Sequence, residues 1–337
     1  MVFEVLKRIG CDFALSDRQN QSAVSVAIAN WNGASYVSRC LDAVLSQTRP
    51  PQEIVVVDNG SIDGSPAIIR SQYPSVRLLT RPINEGFCTG YNSAIRATSS
   101  PYVLILNNDV YLEPDFIERA LEAIEGREEV GWIAGQLLRA DGNGVDYAGR
   151  FLLRRISLVN TDSEAPGQRV FAGSGAAIFC RRAMLDDVAE LGDVYDERYF
   201  AYVEDLDLAW RANLRGWHCI YVPNARARHV GSASTGGQIR VLDKTPEFQR
   251  HIVKNRYTTV LKNASPGLFV RLFPYLLIAE IGMWALFLVR RPSCVRVFPE
   301  AMAWVVRELG SILRSRRFIQ QRRTVADGVL VCLMRGF

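Results

Sequence analysis

Short apolar runs alternate with segments of helical periodicity along the first third of the chain. The runs contain five or six residues, are rich in Val, Ile and Leu, and are apolar on both faces, which is typical of strands inside a parallel sheet. They occupy residues 24–29, 53–58, 76–80 and 102–107. Helical segments separate them at residues 36–45, roughly 65–72 and roughly 87–97. This order predicts an α/β, doubly wound, mainly parallel sheet.

Polar residues or glycines follow all four predicted strands. In a doubly wound sheet, ligands bind beyond the carboxyl ends of the strands, so these residues are candidates for a binding site. They are residues 30–32, 58–61, 83–87 and 107–109. A simple loop explains the stretch 58–65 equally well, because Asp, Asn, Gly and Ser are the usual turn residues.

Asp109 differs from the other candidates because it follows a wholly apolar strand. A carboxylate at the edge of a buried sheet is costly unless it is paired or binds a cation. Hard divalent ions prefer oxygen ligands, so the predicted partner is Mg²⁺ or Mn²⁺, with a diphosphate completing its coordination shell. His229 lies in a loop rich in Gly and Ser after the last predicted strand, where it is either simply exposed or a second ligand of this cation.

Two further motifs allow both a functional and a structural interpretation. Gly173 and Gly175 either let a ligand approach the backbone or pack a strand closely. Glu204 and Asp205 begin a predicted helix at about residues 204–215, where they either stabilise the positive end of its dipole or supply a general base. No G-x-G-x-x-G follows the first strand and no P-loop motif occurs, which argues against nicotinamide and P-loop nucleotide binding.

Charge divides the chain into two parts. Residues 1–235 carry 23 Lys and Arg against 29 Asp and Glu, whereas residues 236–337 carry 17 against 6, a net charge of 17 − 6 = +11. Such asymmetry indicates parts with different partners. Charges interrupt the first fifteen positions, so no signal peptide is expected there, and the seven scattered cysteines argue against a disulfide framework. We divide the chain into an N-terminal extension (1–22), an α/β domain (23–240) and a basic, apolar helical region (241–337).

The last of these regions combines basic and strongly apolar segments. Residues 236–263 predict a basic helix, and residues 268–289 form the most apolar stretch of the chain. A membrane span needs about 20 predominantly apolar residues, and Glu280 near the middle of this stretch is expensive in lipid. We therefore prefer a pair of helices lying in the membrane interface to a crossing. The arginines of residues 314–323, beside these helices, favour an anionic lipid surface over nucleic acid as the partner.

Taken together, these motifs resemble the inverting glycosyltransferases of family 2, which have the GT-A fold and use nucleotide-diphosphate sugars. The similarity covers about 210 residues and is greatest to rhamnosyltransferase-type members that build surface polysaccharides. The motifs that carry it are residues 24–33, 53–65, 84–92, 104–110, 172–182, 199–211 and 229–235. The resemblance implies a GT-A catalytic domain at residues 23–240 and a C-terminal helical extension that associates with the membrane.

The resemblance also implies a set of donor-binding residues. These are Asn30, Asn32, Asp58, Asn59, Asn84, Gly86, Asn108, Gly173 and Gly175. Within this set, Asn30 and Asp58 would contact the nucleotide, and Asn84 and Gly86 would lie along the ribose and the diphosphate.

Catalytic and metal-binding roles follow from the same resemblance. Asp205 corresponds to the catalytic base, with Glu204 as the alternative if the helix is shifted by one residue. Asp109 and His229 would hold a divalent cation, Mn²⁺ or Mg²⁺. The family's acidic pair is reduced here to Asn107-Asn108-Asp109, which leaves one carboxylate for the metal. The basic helix at 236–263 either faces the acceptor or is simply solvated.

The implied activity is metal-dependent, inverting transfer of a sugar, with L-rhamnose from dTDP-rhamnose as the first choice. The acceptor would be a hydroxyl of a lipid-linked saccharide in cell-surface polysaccharide synthesis, at the cytoplasmic face of the inner (plasma) membrane. Donors such as UDP-hexose or UDP-galactofuranose are the nearest alternatives. A non-catalytic, membrane-bound protein that binds sugar nucleotides is a further alternative, because the metal motif is reduced. A sugar-nucleotide pyrophosphorylase is disfavoured, since its glycine-rich loop with an activating lysine is missing after the first strand.

Overall fold

The computed structural model describes residues 21–231 and 241–336. The strands are β1 (Val24–Asn30), β2 (Glu53–Asn59), β3 (Arg77–Arg81), β4 (Tyr102–Asn107), β5 (Val110–Leu112), β6 (Val130–Arg139), β7 (Val145–Tyr147), β8 (Arg150–Leu153), β9 (Ser157–Asn160), β10 (Arg169–Val170), β11 (Ala177–Arg181), β12 (His218–His229) and β13 (Met334–Arg335). The α-helices are α1 (Val37–Leu45), α2 (Ser65–Gln72), α3 (Phe87–Arg96), α4 (Phe116–Ile124), α5 (Arg182–Val188), α6 (Glu204–Leu214), α7 (Pro246–Asn263), α8 (Pro266–Arg290), α9 (Val297–Arg307), α10 (Leu309–Arg322) and α11 (Asp327–Cys332).

One mixed sheet organises the molecule. Its main path runs β10-β12-β6-β11-β4-β1-β2-β3, with β5 paired to β12 and β7 paired to β6. The first four strands pair in parallel, whereas β11 enters antiparallel between β4 and β6. A smaller sheet has the order β13-β8-β9. The predicted doubly wound, mainly parallel sheet with a C-terminal helical region is therefore confirmed.

Two strands differ from the prediction in ways that matter for the site. β3 lies at the sheet edge and is partly exposed instead of buried on both faces. β12 continues well past the predicted residue 222, because after an irregularity between Val222 and Arg226 it goes on pairing with β6 and gains β5 as a neighbour. As a result His229 is the last residue of a strand and is buried, and it is not in a flexible loop. Residues 232–235 of its motif lie outside the described residues.

The described C-terminal helices share a hydrophobic core with the sheet. One core cluster joins side chains of β4 and β11 to Leu268 and Leu272 of α8, Ile319 of α10 and Leu330 of α11. In addition, β13 pairs with β8, which lies beside the sheet. The division of the chain at residue 240 stays a prediction, but any boundary there would cut through this shared core.

The apolar stretch 268–289 is one helix and not the expected pair. α8 runs unbroken for 25 residues with Pro274 inside it. Pro274 lies early in α8, about two turns from its start, and the helix continues through it. Only Leu268, Leu272 and Phe287 of α8 are buried, so most of this apolar helix faces outward.

Candidate active site

Adjacent parallel strands place the first two predicted donor-binding residues side by side. Asn30 and Asp58 are direct neighbours across β1 and β2, and both are buried. The Asn30 Nδ2 group donates hydrogen bonds to Asp58 Oδ1 at 2.8 Å and to Ser65 Oγ at 2.9 Å. The main-chain N–H of Ser61 donates to the other Asp58 oxygen at 3.1 Å. The Asp58 carboxylate is thus fixed at the strand end, within a turn of the kind that the sequence also allowed.

A second set of amides orders the loop that follows β3. Asn59 Nδ2 donates to Asn84 Oδ1 and to the Gly86 carbonyl, each at 2.9 Å. Asn84 Oδ1 also accepts from the Gly86 N–H at 2.9 Å. Gly86 has a φ of +95°, and a Cβ there would lie 2.6 Å from the Phe200 ring, so this loop needs glycine on both counts. Asn59, Asn84 and Gly86 therefore form one hydrogen-bonded group.

The asparagines of the reduced metal motif are bound to protein atoms. Asn108 Nδ2 donates to Asn30 Oδ1 at 2.8 Å, and the hydroxyl of Tyr91 donates to Asn107 Oδ1 at 2.9 Å. Asn32 contacts the turn after β2, where its Oδ1 accepts from the Ile62 N–H at 3.0 Å. Asp109 is the one carboxylate of this motif and so its best ligand for a divalent cation.

The structure brings Asp109 and His229 together. His229 Nε2 lies 3.6 Å from Asp109 Oδ2, and the other ring nitrogen lies 2.7 Å from Asp146 Oδ2. Asp109 Oδ1 is buried and accepts no hydrogen bond from any described residue. Burial raises the pKa of Asp109, an effect that His229 opposes. A buried carboxylate oxygen without a donor is the kind of group that a bound cation satisfies.

These residues fit a small divalent cation that is shared with a substrate. Within residues 21–231 and 241–336, no group of three or more His, Cys, Asp and Glu side chains is placed to hold a metal ion by itself. Mg²⁺ and similar ions in transferases need only one or two protein ligands, because substrate phosphates and water supply the rest. Asp109 and His229 meet that requirement.

The predicted base lies close to the carboxyl end of β4. The Asp205 Cβ is 3.1 Å from the position a Cβ would take on Gly175, and the next residue, Ala176, accepts a hydrogen bond from the Asn107 N–H at 2.8 Å. Asp205 is partly exposed, and its Oδ2 lies 3.5 Å from the Arg150 guanidinium. Gly175 thus leaves room for Asp205 next to the strand that carries the metal motif.

Tyr147 links the metal side of the site to the base side. Its ring centroid is 5.9 Å from that of His229, and the Arg150 guanidinium lies over it at 5.0 Å. Burial raises the pKa of Tyr147, Arg150 lowers it, and the carboxylates of Asp146, Asp205 and Asp109 raise it further. Because the same guanidinium is 3.5 Å from Asp205 Oδ2, Tyr147 and Arg150 form a continuous set of contacts from His229 to Asp205.

Glu204 and Asp205 have different environments although they are adjacent. Burial raises the pKa of Glu204 to about 8, with a further contribution from Asp205. Its Oε2 is buried and unbonded among the described residues. Glu204 is therefore protonated at neutral pH, which makes it a poor base there, whereas Asp205 has solvent access and a guanidinium beside it.

A strained segment precedes these two acids. Phe200, Tyr202 and Val203 all have positive φ angles, between 64° and 72°, in a region that residues other than glycine rarely adopt. Asn255 of α7 holds the segment, since its Nδ2 group lies 2.7 to 3.0 Å from three carbonyl oxygens between Tyr199 and Tyr202. α7 therefore fixes how the chain enters α6.

Gly173 is placed for packing. A Cβ on Gly173 would lie 3.1 Å from the Ala134 backbone of β6, which supports the structural interpretation of this residue. The sequence reasoning did not find Asp146, Tyr147, Arg150 or Asn255. The only signal for the first three is the run DYAGR after the glycine-rich turn at residues 141–144, which alone indicates nothing more than a short strand and a turn.

Solved glycosyltransferases share this architecture. The mannosyltransferase PcManGT from Pyrobaculum calidifontis, in complex with GDP-Man and Mn²⁺, matches with a TM-score of 0.53 at 18% identity, over 92% of this chain and 85% of that one. S. aureus TarS 1–349 in complex with UDP-GlcNAc matches with a TM-score of 0.56 at 16% identity, over 87% and 81%. At such identities the likeness concerns the fold, which is that of the GT-A glycosyltransferases.

The family follows from the sequence comparisons. Residues 25–188 match the model of glycosyl transferase family 2. A Mycobacterium tuberculosis protein named N-acetylglucosaminyl-diphospho-decaprenol L-rhamnosyltransferase is 28% identical over 240 residues, which are 63% of this chain and 77% of that protein. Residues 25–188 therefore form a glycosyl transferase family 2 domain, as the motifs of this chain predicted.

Proposed function

We propose that this protein transfers L-rhamnose from dTDP-rhamnose to a hydroxyl of a lipid-linked saccharide, with inversion at the anomeric carbon. The proposal is supported chiefly by an unbroken series of contacts, in which His229 lies beside Asp109, the Tyr147 ring beside His229, and Arg150 between Tyr147 and Asp205. The choice of sugar and acceptor rests on the name of the M. tuberculosis relative.

The donor would bind along the ends of the parallel strands. Asn30 and Asp58 would take the nucleotide base, and the hydrogen-bonded group of Asn59, Asn84 and Gly86 would lie along the ribose and diphosphate. This placement agrees with the general position of ligands in open α/β sheets. Because these amides and carboxylates already hold one another, little reorganisation is needed when the donor binds.

Asp109 and His229 would hold the cation, Mn²⁺ or Mg²⁺, together with the diphosphate. When bound, such an ion neutralises the charge that develops on the leaving diphosphate. The structural neighbour PcManGT was solved with Mn²⁺. In this chain the unbonded Asp109 Oδ1 supports the assignment.

Asp205 would act as the general base. It accepts the proton of the acceptor hydroxyl, whose oxygen attacks the anomeric carbon from the face opposite the nucleotide. The new glycosidic bond forms as the bond from the anomeric carbon to the phosphate oxygen breaks, and dTDP leaves with the electron pair. The Arg150 guanidinium, 3.5 Å away, helps to fix the carboxylate. Glu204, protonated at neutral pH, is less suited to the role.

The acceptor lipid implies contact with a membrane, and the C-terminal helices offer a surface for it. Among the described residues, fourteen of the 21 exposed large apolar side chains lie between Phe269 and Leu313. The exposed apolar surface of α8, α9 and α10 is far more concentrated than the single exposed residues usual on a soluble protein. Exposed arginines on and between these helices are Arg271, Arg290, Arg291, Arg296, Arg307, Arg314 and Arg317. Such a combination binds anionic lipid surfaces.

The contacts of Glu280 favour an interfacial position over a crossing. α8 is the one described helix that is long and apolar enough to span a membrane. Its Glu280, however, is 3.3 Å from Arg256 of α7, accepts a hydrogen bond from the Tyr257 hydroxyl and accepts another from Trp284 at 3.0 Å. Because these contacts tie the middle of α8 to α7, we propose that α8 lies on the bilayer at the cytoplasmic face.

The arginines of residues 314–323 contribute less to this surface than the sequence indicated. Arg316 donates to the carbonyls of Leu261 and Ala264 and so closes the end of α7. Arg322 and Arg323 pair with acidic residues of the protein at 3.2 and 2.6 Å. Binding of nucleic acid is not part of the proposal.

Release of nucleoside diphosphate from a panel of donors tests the proposed function. The panel contains dTDP-rhamnose, UDP-galactose, UDP-GlcNAc and GDP-mannose, each with and without an N-acetylglucosaminyl-diphospho-polyprenol and with Mn²⁺ or EDTA. We expect dTDP release from dTDP-rhamnose only when acceptor and Mn²⁺ are both present. If only a UDP-sugar released its nucleotide, the proposed donor would be wrong. Release in EDTA would show that no metal is required. Binding of donors without any release would favour a non-catalytic protein.

A further inference from the structure

The imidazole of His229 lies between two carboxylates. Its Nδ1 is 2.7 Å from Asp146 Oδ2, and its Nε2 is 3.6 Å from Asp109 Oδ2. The side chains of His229 and Asp146 are 9% and 3% exposed. The short contact is a hydrogen bond, whereas the longer one exceeds hydrogen-bonding distance and falls within the separation of roughly 3–4 Å that two ligands of one small cation have.

The hydrogen bond determines which nitrogen is available to a ligand. When Nδ1–H donates to Asp146, the neutral ring carries its lone pair on Nε2, on the side of Asp109. Asp146 is itself held in place by backbone pairing of β7 with β6, and its carbonyl accepts from Asn160 Nδ2 at 3.0 Å. The ring can therefore neither flip nor change tautomer without breaking a buried hydrogen bond to a charged group.

We propose that Asp146 is a positioning residue for metal binding: it fixes the ring and tautomer of His229 so that Nε2 and Asp109 bind one divalent cation. This inference rests on the proposed function, because it assumes the Asp109 and His229 cation site. Carboxylates that hold metal-bound histidines in this way typically change metal affinity by about 10–100-fold when they are removed. In this role Asp146 acts through the imidazole of His229, to which it is hydrogen-bonded.

The alternative is a purely structural ion pair in which a protonated His229 sits between Asp109 and Asp146. In that arrangement Asp146 would stabilise the fold, and its removal would leave cation affinity unchanged. The two possibilities differ in what the free protein does with Mn²⁺, before any turnover takes place.

Binding of Mn²⁺ to the full chain in the presence of dTDP separates these two possibilities. The bound fraction is measured from the electron paramagnetic resonance signal of the Mn²⁺ that stays free. We expect Asp146→Asn to weaken Mn²⁺ binding about 10–100-fold, while dTDP binding without metal stays at the wild-type level. Asp141→Asn is the matched control, since Asp141 lies in the same β6–β7 turn but bonds only to nearby Asn143 among the contacts described. The control should bind Mn²⁺ as the wild type does.

A second comparison keeps the test decisive if Asp146→Asn does not fold. Asp146→Glu retains the charge but displaces the carboxylate, and we expect at least about a threefold loss of Mn²⁺ affinity with unchanged dTDP binding. In a double-mutant cycle, Asp146→Asn should add little to His229→Gln, because both act through one imidazole. Wild-type Mn²⁺ affinity in the Asp146 variants would overturn the inference alone, whereas a wild-type protein that binds no Mn²⁺ would overturn the metal site and the inference with it.

Discussion

Two consecutive helices of the C-terminal region have the opposite burial to the one that their composition predicts. α7 is polar and basic, yet nine of its residues are buried, among them Lys254, Asn255, Lys262 and Asn263. α8 is strongly apolar, yet three of its 25 residues are buried. The difference shows that burial in this region depends on the partner each helix meets and not on its hydropathy.

α7 packs against α9, α10 and α6, and its buried polar side chains meet acidic residues on α6 and in the segment before it. Lys262 Nζ lies 2.6 Å from Asp196 and 3.2 Å from Asp207, and Asn263 Nδ2 donates to Asp207 at 2.8 Å. Burial raises the pKa of Asp207, but Lys262 and Arg211 outweigh burial and bring it below the usual value. This network links α6, which carries the predicted base in its first turn, to the C-terminal region. In contrast, α8 exposes a wide apolar face, which only another apolar environment such as lipid would cover.

The largest expected effect comes from breaking the α7 network. Lys262→Met leaves the carboxylates of Asp196 and Asp207, both largely buried, short of a cation, so we expect a loss of about 3–5 kcal/mol in the free energy of unfolding. Arg250→Met on the same helix removes only an exposed pair with Glu300 and should change stability by less than about 1 kcal/mol. Equal, small effects of both variants in urea denaturation would show that polar burial does not hold α7.

A smaller effect is expected at the buried acid that α7 leaves without a partner. The folded pKa of Glu204 is about 8, against 4.5 for the ordinary carboxyl, so the folded state binds the extra proton and wild-type stability falls as pH rises from about 4.5 to 8. Glu204→Gln lacks this dependence. Relative to the wild type it should gain on the order of 2 kcal/mol between pH 6 and pH 8. A constant stability difference across that range would show that Glu204 is ionised at neutral pH.

The exposed face of α8 provides the third test. Val270, Ile281 and Val289 are between 61% and 77% exposed, so their joint replacement by Ser should leave the melting temperature nearly unchanged. We expect binding to vesicles of phosphatidylglycerol and phosphatidylcholine to weaken at least tenfold, because each apolar side chain removed from lipid loses about 1 kcal/mol or more.

A matched control uses exposed apolar residues of the sheet domain. Leu45, Ile62 and Leu191 are at least 44% exposed, and their joint replacement by Ser should leave vesicle binding as it is. If both triple variants sediment with vesicles like the wild type, α8 is not the membrane-binding surface.

The sheet and the edge that carries the site were predictable from the sequence. The apolar runs 24–29, 53–58 and 102–107 became β1, β2 and β4, and polar residues at their ends came together because parallel strands share one carboxyl edge. The acids at the start of α6 were found through their place before an amphipathic helix.

The residues that hold the candidate site in place could not be predicted from the sequence, because they act through contacts between positions far apart in the chain. Asp146 meets His229 only because β7 and β12 both pair with β6. The burial of Lys262 depends on Asp207, 55 positions earlier. Nothing in the sequence indicates the positive φ angles at Tyr202 and Val203, because neither residue is a glycine. In each case the local composition indicates an ordinary turn, exposed helix or loop.

The most direct test of the central claim compares turnover and donor binding in Asp205→Asn. The variant keeps the shape of the side chain but cannot accept the acceptor proton. We predict that release of nucleoside diphosphate falls by about 10²–10⁴-fold, whereas calorimetric binding of the donor in the presence of Mn²⁺ remains within about twofold of the wild type. Turnover near the wild-type rate, or equal loss of turnover and donor binding, would contradict the assignment of Asp205 as the base.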